Sequence, residues 1–358
     1  MTQDMREFYD GKRVLVTGHT GFKGIWLTRM LRLLGAKVAG FALSPTGEAA
    51  KVYARAGIDG FVDSVVGDVR DLSALKRTFD RIAPEVVFHL AAQPIVRESY
   101  RDPVGTYATN VMGTVHLLEC VRLCPSVRSV IIVTTDKVYD NREWCWGYRE
   151  TDRLGGHDPY ANSKSCAELV VESYRRSFFA DNKPALSAVR AGNVIGGGDF
   201  AVDRIIPDCI RAACAGNKIA LRNPHSVRPY QHVLEPLYAY LRICAAQDED
   251  ESVSGCYNVG PDAADCVETG ILADIFCAAW GEGASWEERS ERTTAVEANF
   301  LRLDCSKLKA KLGIMPRWNI RQAVSKTVEW AKAYRRGEDV AALMDRQIGE
   351  YNEEVKGK

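Results

Sequence analysis

Short apolar segments alternate along the first half of the chain with longer stretches whose apolar residues recur at helical spacing. Residues 13–17 (RVLVT), 38–43, 62–66, 86–90 (VVFHL), 130–134 (VIIVT) and 185–190 have the composition of buried strands. Between the first two, Phe22, Trp26, Leu27, Met30, Leu31 and Leu34 predict a helix over 22–34, with Gly35 as its stop. Further helices are predicted over 110–123 and over 160–179, the latter with Ala167, Val170, Val171, Tyr174 and Phe178 on one stripe. Strands alternating with helices require right-handed crossovers and a parallel sheet covered on both faces. The predicted fold class is therefore α/β, a doubly wound parallel sheet over residues 1–190. Beyond Ala191 glycine and proline rise and the helices are interrupted. Residues 191–335 are expected to form a smaller mixed lobe over the strand ends, with some segments returning to the first domain. Residues 336–358 are expected to be a polar tail, a surface helix with a frayed end.

Composition narrows the partners. Lys plus Arg (47) balances Asp plus Glu (47), so no overall field draws nucleic acid or an anionic membrane, and an anionic ligand must be held by locally placed donors. Residues 1–12 are charged and lack the apolar stretch of a signal peptide, and no apolar run reaches membrane-spanning length. The 11 cysteines are scattered without a Cys-x-x-Cys pair, which suits reduced thiols in a cytoplasmic protein. Cys120 and Cys124 lie one helical turn apart, but no histidine or second pair completes a zinc set, so no metal is expected.

Two motifs carry chemistry. Gly18, Gly21 and Gly24 stand in GHTGFKG between the first strand and the first helix. A sharp turn whose backbone touches a pyrophosphate needs residues without Cβ, and the helix N-terminus behind it supplies free N–H groups. Tyr160 and Lys164 form a Tyr-x-x-x-Lys at a helix start, one turn apart and therefore on one face. A lysine ammonium beside a phenol favours the phenolate, which can then accept a proton from a hydroxyl.

The G-x-x-G-x-x-G spacing, Asp68 in GDVRD, the small residues of Leu90-Ala91-Ala92-Gln93 and the Tyr160/Lys164 pair together resemble the extended short-chain dehydrogenase/reductase family, with its Rossmann-like cofactor domain. That resemblance implies a cofactor contacted by Gly18, Thr20, Gly21, Phe22, Gly24, Asp68, Val69, Leu90, Ala91, Ala92, Tyr160 and Lys164. No acidic residue follows the second strand in Phe41-Ala42-Leu43-Ser44, so the preference for NAD is implied by the resemblance alone. It sharpens to the sugar-nucleotide 4,6-dehydratases that act on CDP-glucose through TDKVYDN, WGYRE, AGNVIGGGDF, NPHSVRPYQHVLEP, GEGASW and LDCSK. Such enzymes oxidise C4 of the sugar, lose water across C5 and C6 and return the hydride to C6. By the same resemblance Thr135 bonds the reacting oxygen, Tyr160 is the C4 base, and Asp136 donates to the departing hydroxyl. Lys137 stands where relatives carry Glu, and is either a base when neutral or an electrostatic stabiliser of the enolate. Gln93, Asn193, Arg204 and Arg228 are implied at the substrate, Arg222 is a further loop cation, and Glu297 and Asn299 are placed near the pocket. His19 either meets pyrophosphate or fills space near Lys137, and His89 is read as core. A homodimer through 110–123 and 160–179 is also implied. The alternatives are a nucleotide-sugar 4-epimerase and a catalytically inactive NAD-binding regulator.

Overall fold

The computed structural model describes residues 3–179, 184–289 and 299–353. Seven strands form one sheet: β1 (Arg13–Thr17), β2 (Lys37–Ala42), β3 (Val62–Val66), β4 (Val86–His89), β5 (Ser129–Val133), β6 (Ala185–Ala191) and β7 (Cys256–Val259). Their order is β7-β6-β5-β4-β1-β2-β3 and every pairing is parallel, with Val14 opposite Val38 on one side and Val86 on the other. This is the doubly wound, Rossmann-like α/β fold. The order reverses between β1 and β4, so their C-terminal ends open a crevice, the place where ligands bind in such sheets.

The helix Phe22–Leu33 follows β1 directly and buries Ile25, Trp26, Leu27, Met30 and Leu31. It ends where predicted: Gly35 has φ 84°, and the N–H of Ala36 bonds the carbonyl of Leu31. The helix Leu72–Ile82, absent from the periodicity reading, is capped by the Asp71 carboxylate accepting from the N–H of Ala74 at 3.0 Å and buries Leu75 and Phe79. The segment predicted as one helix over 110–123 begins instead with a wide turn, Ala108–Met112, before the regular helix Gly113–Arg122. Asn110 accounts for the distortion: its amide accepts from the N–H of Gln93 (2.9 Å) and donates to Ser163 Oγ (2.9 Å), pulling the chain out of helical register.

Past Ala191 the chain alternates between lobe and sheet. The helix Leu234–Glu249 packs on β5 and β6, where Gln247 Nε2 donates to Ser129 Oγ (2.8 Å) and to the Val130 carbonyl (3.1 Å). The lobe has its own core, with Ile206, Leu221, Leu272, Phe276, Trp280, Val324 and Val328 contributed by several helices and a short strand. The C-terminal residues form the expected helix, but it is packed into the core and not exposed on the surface. Val340–Glu353 is a helix whose Val340, Leu343, Met344, Ile348 and Tyr351 are buried in the same core as Trp26 and Met30. Asp345 on this helix pairs with Arg29 of Phe22–Leu33 at 2.5 Å, so the chain end clamps the helix that carries the glycine loop. Charged residues between the apolar positions had hidden their 3–4 spacing.

Candidate active site

The glycine loop is shaped by two constraints inside the protein and one left open. Gly18 has φ +73°, and a Cβ there would stand 2.8 Å from the backbone nitrogen of Ala91, so the loop presses against the end of β4. A Cβ on Gly24 would fall 2.2 Å from the carbonyl oxygen of Gly18, so the helix start could not close on the turn. Gly21 is different. A Cβ there would meet only the Gly18 carbonyl at 3.4 Å, and no side chain caps the helix that Gly21 begins. The bare backbone at Gly21 and the uncapped N-terminus behind it fit a pyrophosphate. Thr20 donates to the Leu43 carbonyl at 3.1 Å, and Phe22 lies against the lobe.

Tyr160 and Lys164 sit on the helix Pro159–Phe178, whose start is fixed by Asp158 accepting from the N–H of Ala161 (2.9 Å) and by Pro159 in the first turn. Farther along, Glu168 makes two buried bonds to Arg190 of β6, from Nε at 3.0 Å and Nη2 at 2.9 Å. A buried carboxylate bridged twice by a guanidinium fixes the rotation of the helix and hence the direction of Tyr160. Tyr160 is 8% exposed. Burial holds its phenol pKa above the ordinary value, opposed first by the Lys137 ammonium, then by the Thr135 hydroxyl and by Arg204. The Lys164 ammonium donates to the Val133 carbonyl at the end of β5 (3.1 Å), and burial lowers its pKa to about 8. Among the protein's own side chains, Lys137 is the first to offset the effect of burial on the phenol.

Thr135, Asp136 and Lys137 leave β5 facing this helix. The Thr135 hydroxyl donates to Asp136 Oδ1 at 3.0 Å, and Lys137 Nζ lies 3.4 Å from the same oxygen and 3.5 Å from Asn193 Oδ1. Asp136 is fully buried, yet its Oδ2 has no partner among the described residues. A Cβ on Gly192 would stand 3.2 Å from that oxygen and 2.6 Å from Pro229 Cγ. The glycine keeps open the space in front of a carboxylate oxygen that awaits a hydrogen-bonding partner.

Around this centre the other predicted residues divide. Leu90 and Ala91 are held to β1, their N–H groups bonding the Thr17 carbonyl (3.1 Å) and Thr17 Oγ1 (3.2 Å); Ala92 continues the same half-buried edge. Asp68 is engaged by Arg70 at 2.6 Å, which holds its carboxyl below the usual range, and Val69 is buried against Gly113. The Gln93 amide is occupied within the protein, donating to Thr106 (2.8 Å) and accepting from the N–H of Ile95 (2.6 Å). Arg204 pairs with Asp199 (2.9 Å), Arg222 with Asp203 (3.3 Å), and the buried Arg228 donates to the Val227 carbonyl (3.0 Å). Asn299 is tied to Glu143, whereas Glu297 lies outside the described residues. His19 is buried over Gly40, where a Cβ would come within 2.3 Å of its ring, and its Nε2 lies 2.8 Å from Ser64 Oγ. It fills space under β2 and not near Lys137. His89 is core, its Nδ1 2.7 Å from Thr17 Oγ1.

Sequence reasoning missed Lys23, inside GHTGFKG. It is half-buried; burial first, then the charges of Arg204 and Lys164, bring its pKa down to about 7. The one signal for it was a lysine amid the small and apolar residues of a ligand loop. Glu168 and Arg190 were also missed, although a carboxylate beside Ala167 on an apolar helix face marks a buried pair.

A family model, GDP-mannose 4,6 dehydratase, matches residues 15–327. The chain belongs to this dehydratase family. It is 46% identical to a CDP-glucose 4,6-dehydratase of Salmonella typhimurium, over 97% of this chain and 98% of that protein. A dTDP-glucose 4,6-dehydratase of Xanthomonas campestris is 26% identical over 88% of this chain and 92% of its own. Among solved structures, a Thermus thermophilus UDP-glucose 4-epimerase in complex with NAD superposes with a TM-score of 0.76 at 25% identity, covering 89% of this chain and 99% of that one. The dehydratase family thus shares its scaffold with epimerases, and the groups around the sugar distinguish the two chemistries.

Proposed function

We propose that this chain converts CDP-glucose to CDP-4-dehydro-6-deoxyglucose, with NAD as its cofactor. The observation that carries the proposal is the convergence of Tyr160, Thr135, Asp136 and Lys137 at the mouth of the parallel sheet. The 46% identity over 97% of the chain to a CDP-glucose 4,6-dehydratase selects the substrate.

The glycine loop suits the pyrophosphate of NAD, with Thr20, Phe22, Asp68, Val69 and Leu90 to Ala92 along the remaining contacts. Bound there, NAD supplies the acceptor and later the donor of a hydride. Tyr160 Oη takes the proton of the C4 hydroxyl while Thr135 holds that oxygen, and Lys164 braces the cofactor side of the cleft. Oxidation at C4 makes the C5 hydrogen acidic. Lys137 serves that step, as base when neutral or as the cation opposite the enolate. Asp136, its Oδ2 buried and open toward Gly192, delivers a proton to the C6 hydroxyl as it leaves as water. Gln93, Asn193, Arg204 and Arg228 surround the nucleotide sugar.

The protein is proposed to act as a homodimer. Val104, Tyr107 and Met112, and Leu169 and Phe178 on the adjoining helix, are exposed apolar side chains on segments that pack together. All eleven cysteines are free, which suits the reducing cytoplasm, and no described helix is long and apolar enough to cross a membrane.

Incubation with NAD and, separately, CDP-, UDP- and dTDP-glucose tests the proposal by mass spectrometry. The expected product is CDP-glucose lighter by one water. A product of unchanged mass with inverted C4 would make the enzyme an epimerase, and three unaltered substrates would make it an inactive binder.

A further inference from the structure

A helix begins with N–H groups that its own turns cannot satisfy, and in Pro159–Phe178 those of the first turn can be followed one by one. Pro159 has none, Ala161 donates to the Asp158 carboxylate (2.9 Å), and Asn162 donates to the Asp158 carbonyl (2.8 Å). The N–H of Tyr160 is satisfied from a distant part of the chain instead: it donates to Ser99 Oγ at 3.1 Å. Ser99 is fully buried. Its own hydroxyl donates to the Val96 carbonyl at 2.6 Å, so the lone pairs of its oxygen are available to Tyr160.

Ser99 belongs to the short helix Val96–Arg101, which packs against Pro159–Phe178. Residues two apart on a helix point about 200° apart around its axis, so Arg97 leaves the side opposite Ser99. Its guanidinium meets Asp203 at 3.1 Å, and Asp203 also meets Arg222 at 3.3 Å. Asp203 stands just before the helix Ile205–Cys214 and Arg222 just after the strand Ile219–Leu221, and both elements bury side chains in the lobe core. At φ 62° Asp203 occupies the left-handed region, which a residue other than glycine holds at a cost, and here it does so between two guanidinium groups. One short helix thus touches the lobe through Arg97 and the helix of the phenol through Ser99.

We infer that Ser99 is a positioning residue for C4 oxidation, seating the backbone of Tyr160, and that the Arg97–Asp203 pair ties this seat to the lobe. The inference rests on the reading of Tyr160 as the C4 base. Glu168 and Arg190 fix the rotation of the helix from its middle, and Ser99 fixes where its first turn stands; two points of attachment define the direction of the phenol. The two ties differ in weight. Arg97 and Asp203 are about one-third exposed, and water screens such a pair, whereas a buried N–H that loses its acceptor has no water to turn to. Ser99 therefore carries most of the effect and Arg97 a smaller share.

Rapid mixing of the full-length, NAD-loaded protein with CDP-glucose, followed by the absorbance of reduced nicotinamide, isolates the C4 step. Its rate constant does not depend on how much of a variant is folded, so a merely structural role for Ser99 would leave it at the wild-type value. Ser99→Ala should lower this rate constant about tenfold or more, with half-saturation by CDP-glucose within about threefold of wild type. Ser99→Thr, which keeps the hydroxyl, should recover most of the rate. Without substrate, the peptide that contains Tyr160 should exchange its amide hydrogens faster in Ser99→Ala. Arg97→Gln should slow nicotinamide reduction by about threefold. A wild-type rate constant in Ser99→Ala would overturn the inference, as would a Ser99→Thr protein as slow as Ser99→Ala. If Ser99→Ala fails to fold, Arg97→Gln decides, and a wild-type rate there overturns the coupling. Tyr160→Phe, run alongside, separates the two readings: wild-type nicotinamide reduction in that variant would remove Tyr160 as the base, and the role of Ser99 with it. If another nucleoside diphosphate glucose reduces the nicotinamide where CDP-glucose does not, the same variants are compared with that sugar.

Discussion

A phenol buried away from water resists ionisation, so the protein must supply the charge that makes Tyr160 a base. Burial raises its pKa, and Lys137 is the strongest influence in the other direction. Removing that cation makes the phenolate harder to form. In Lys137→Met the rising limb of kcat/KM against pH should therefore move to higher pH, beyond any fall in rate from the C5 step. An unmoved limb would return control of the phenol to Lys164. Tyr160→Phe should lower turnover by about a thousandfold or more while leaving the melting temperature nearly unchanged, because the ring still fills its pocket. Substantial residual activity would place the C4 base elsewhere. That Tyr160 and Lys164 open a helix and Thr135 follows a strand end was legible in the sequence, because spacing and element ends are local properties. Lys23 was not, because the charges that act on it, Arg204 and Lys164, come from distant parts of the chain.

The same division between local and long-range information holds for the elements. Six strands could be read from short apolar runs; five of them are buried along nearly their whole length, and only the edge strand β3 is largely exposed. β7 (CYNV) is short and mixed, and it becomes a strand because the edge of β6 requires a partner. The C-terminal helix was expected, but on the surface, because its buried face is visible only once the core that receives it exists. Glu235 on the helix Leu234–Glu249 makes that docking testable. Its carboxylate accepts from the Tyr351 hydroxyl (2.7 Å) and from the N–H groups of Arg317 (3.0 Å) and Trp318 (2.8 Å). Burial nevertheless raises its pKa to about 7. A carboxyl whose folded pKa exceeds its unfolded value stabilises the fold fully below the unfolded value and loses that contribution as pH rises through the folded one. Stability from this group should fall between about pH 4.5 and 7, by up to about 3 kcal/mol. Glu235→Gln should flatten that part of the melting-temperature profile. A wild-type slope retained in the variant would assign it to other groups.

At the scale of the whole molecule, equal numbers of cationic and anionic side chains leave no long-range repulsion between copies, so contact between surfaces governs association. Several exposed apolar side chains gather on one face, where Val104 is 79% and Leu169 60% exposed on segments that pack side by side. Tyr160 begins the helix that bears Leu169, and Asn110, whose side chain bends the neighbouring segment, bonds Ser163 on that same helix. A second copy covering this face would therefore brace the backbone that aims the catalytic phenol, and assembly and activity should be linked. Light scattering at micromolar concentration should find the wild type dimeric and insensitive to high salt, because the contact is apolar. Leu169→Asp, which buries a carboxylate at the centre of that contact, should elute as a monomer with an intact fold and reduced turnover. A wild type that is monomeric under these conditions would remove the dimer. A Leu169→Asp protein that stays dimeric with full activity would move the interface to another surface.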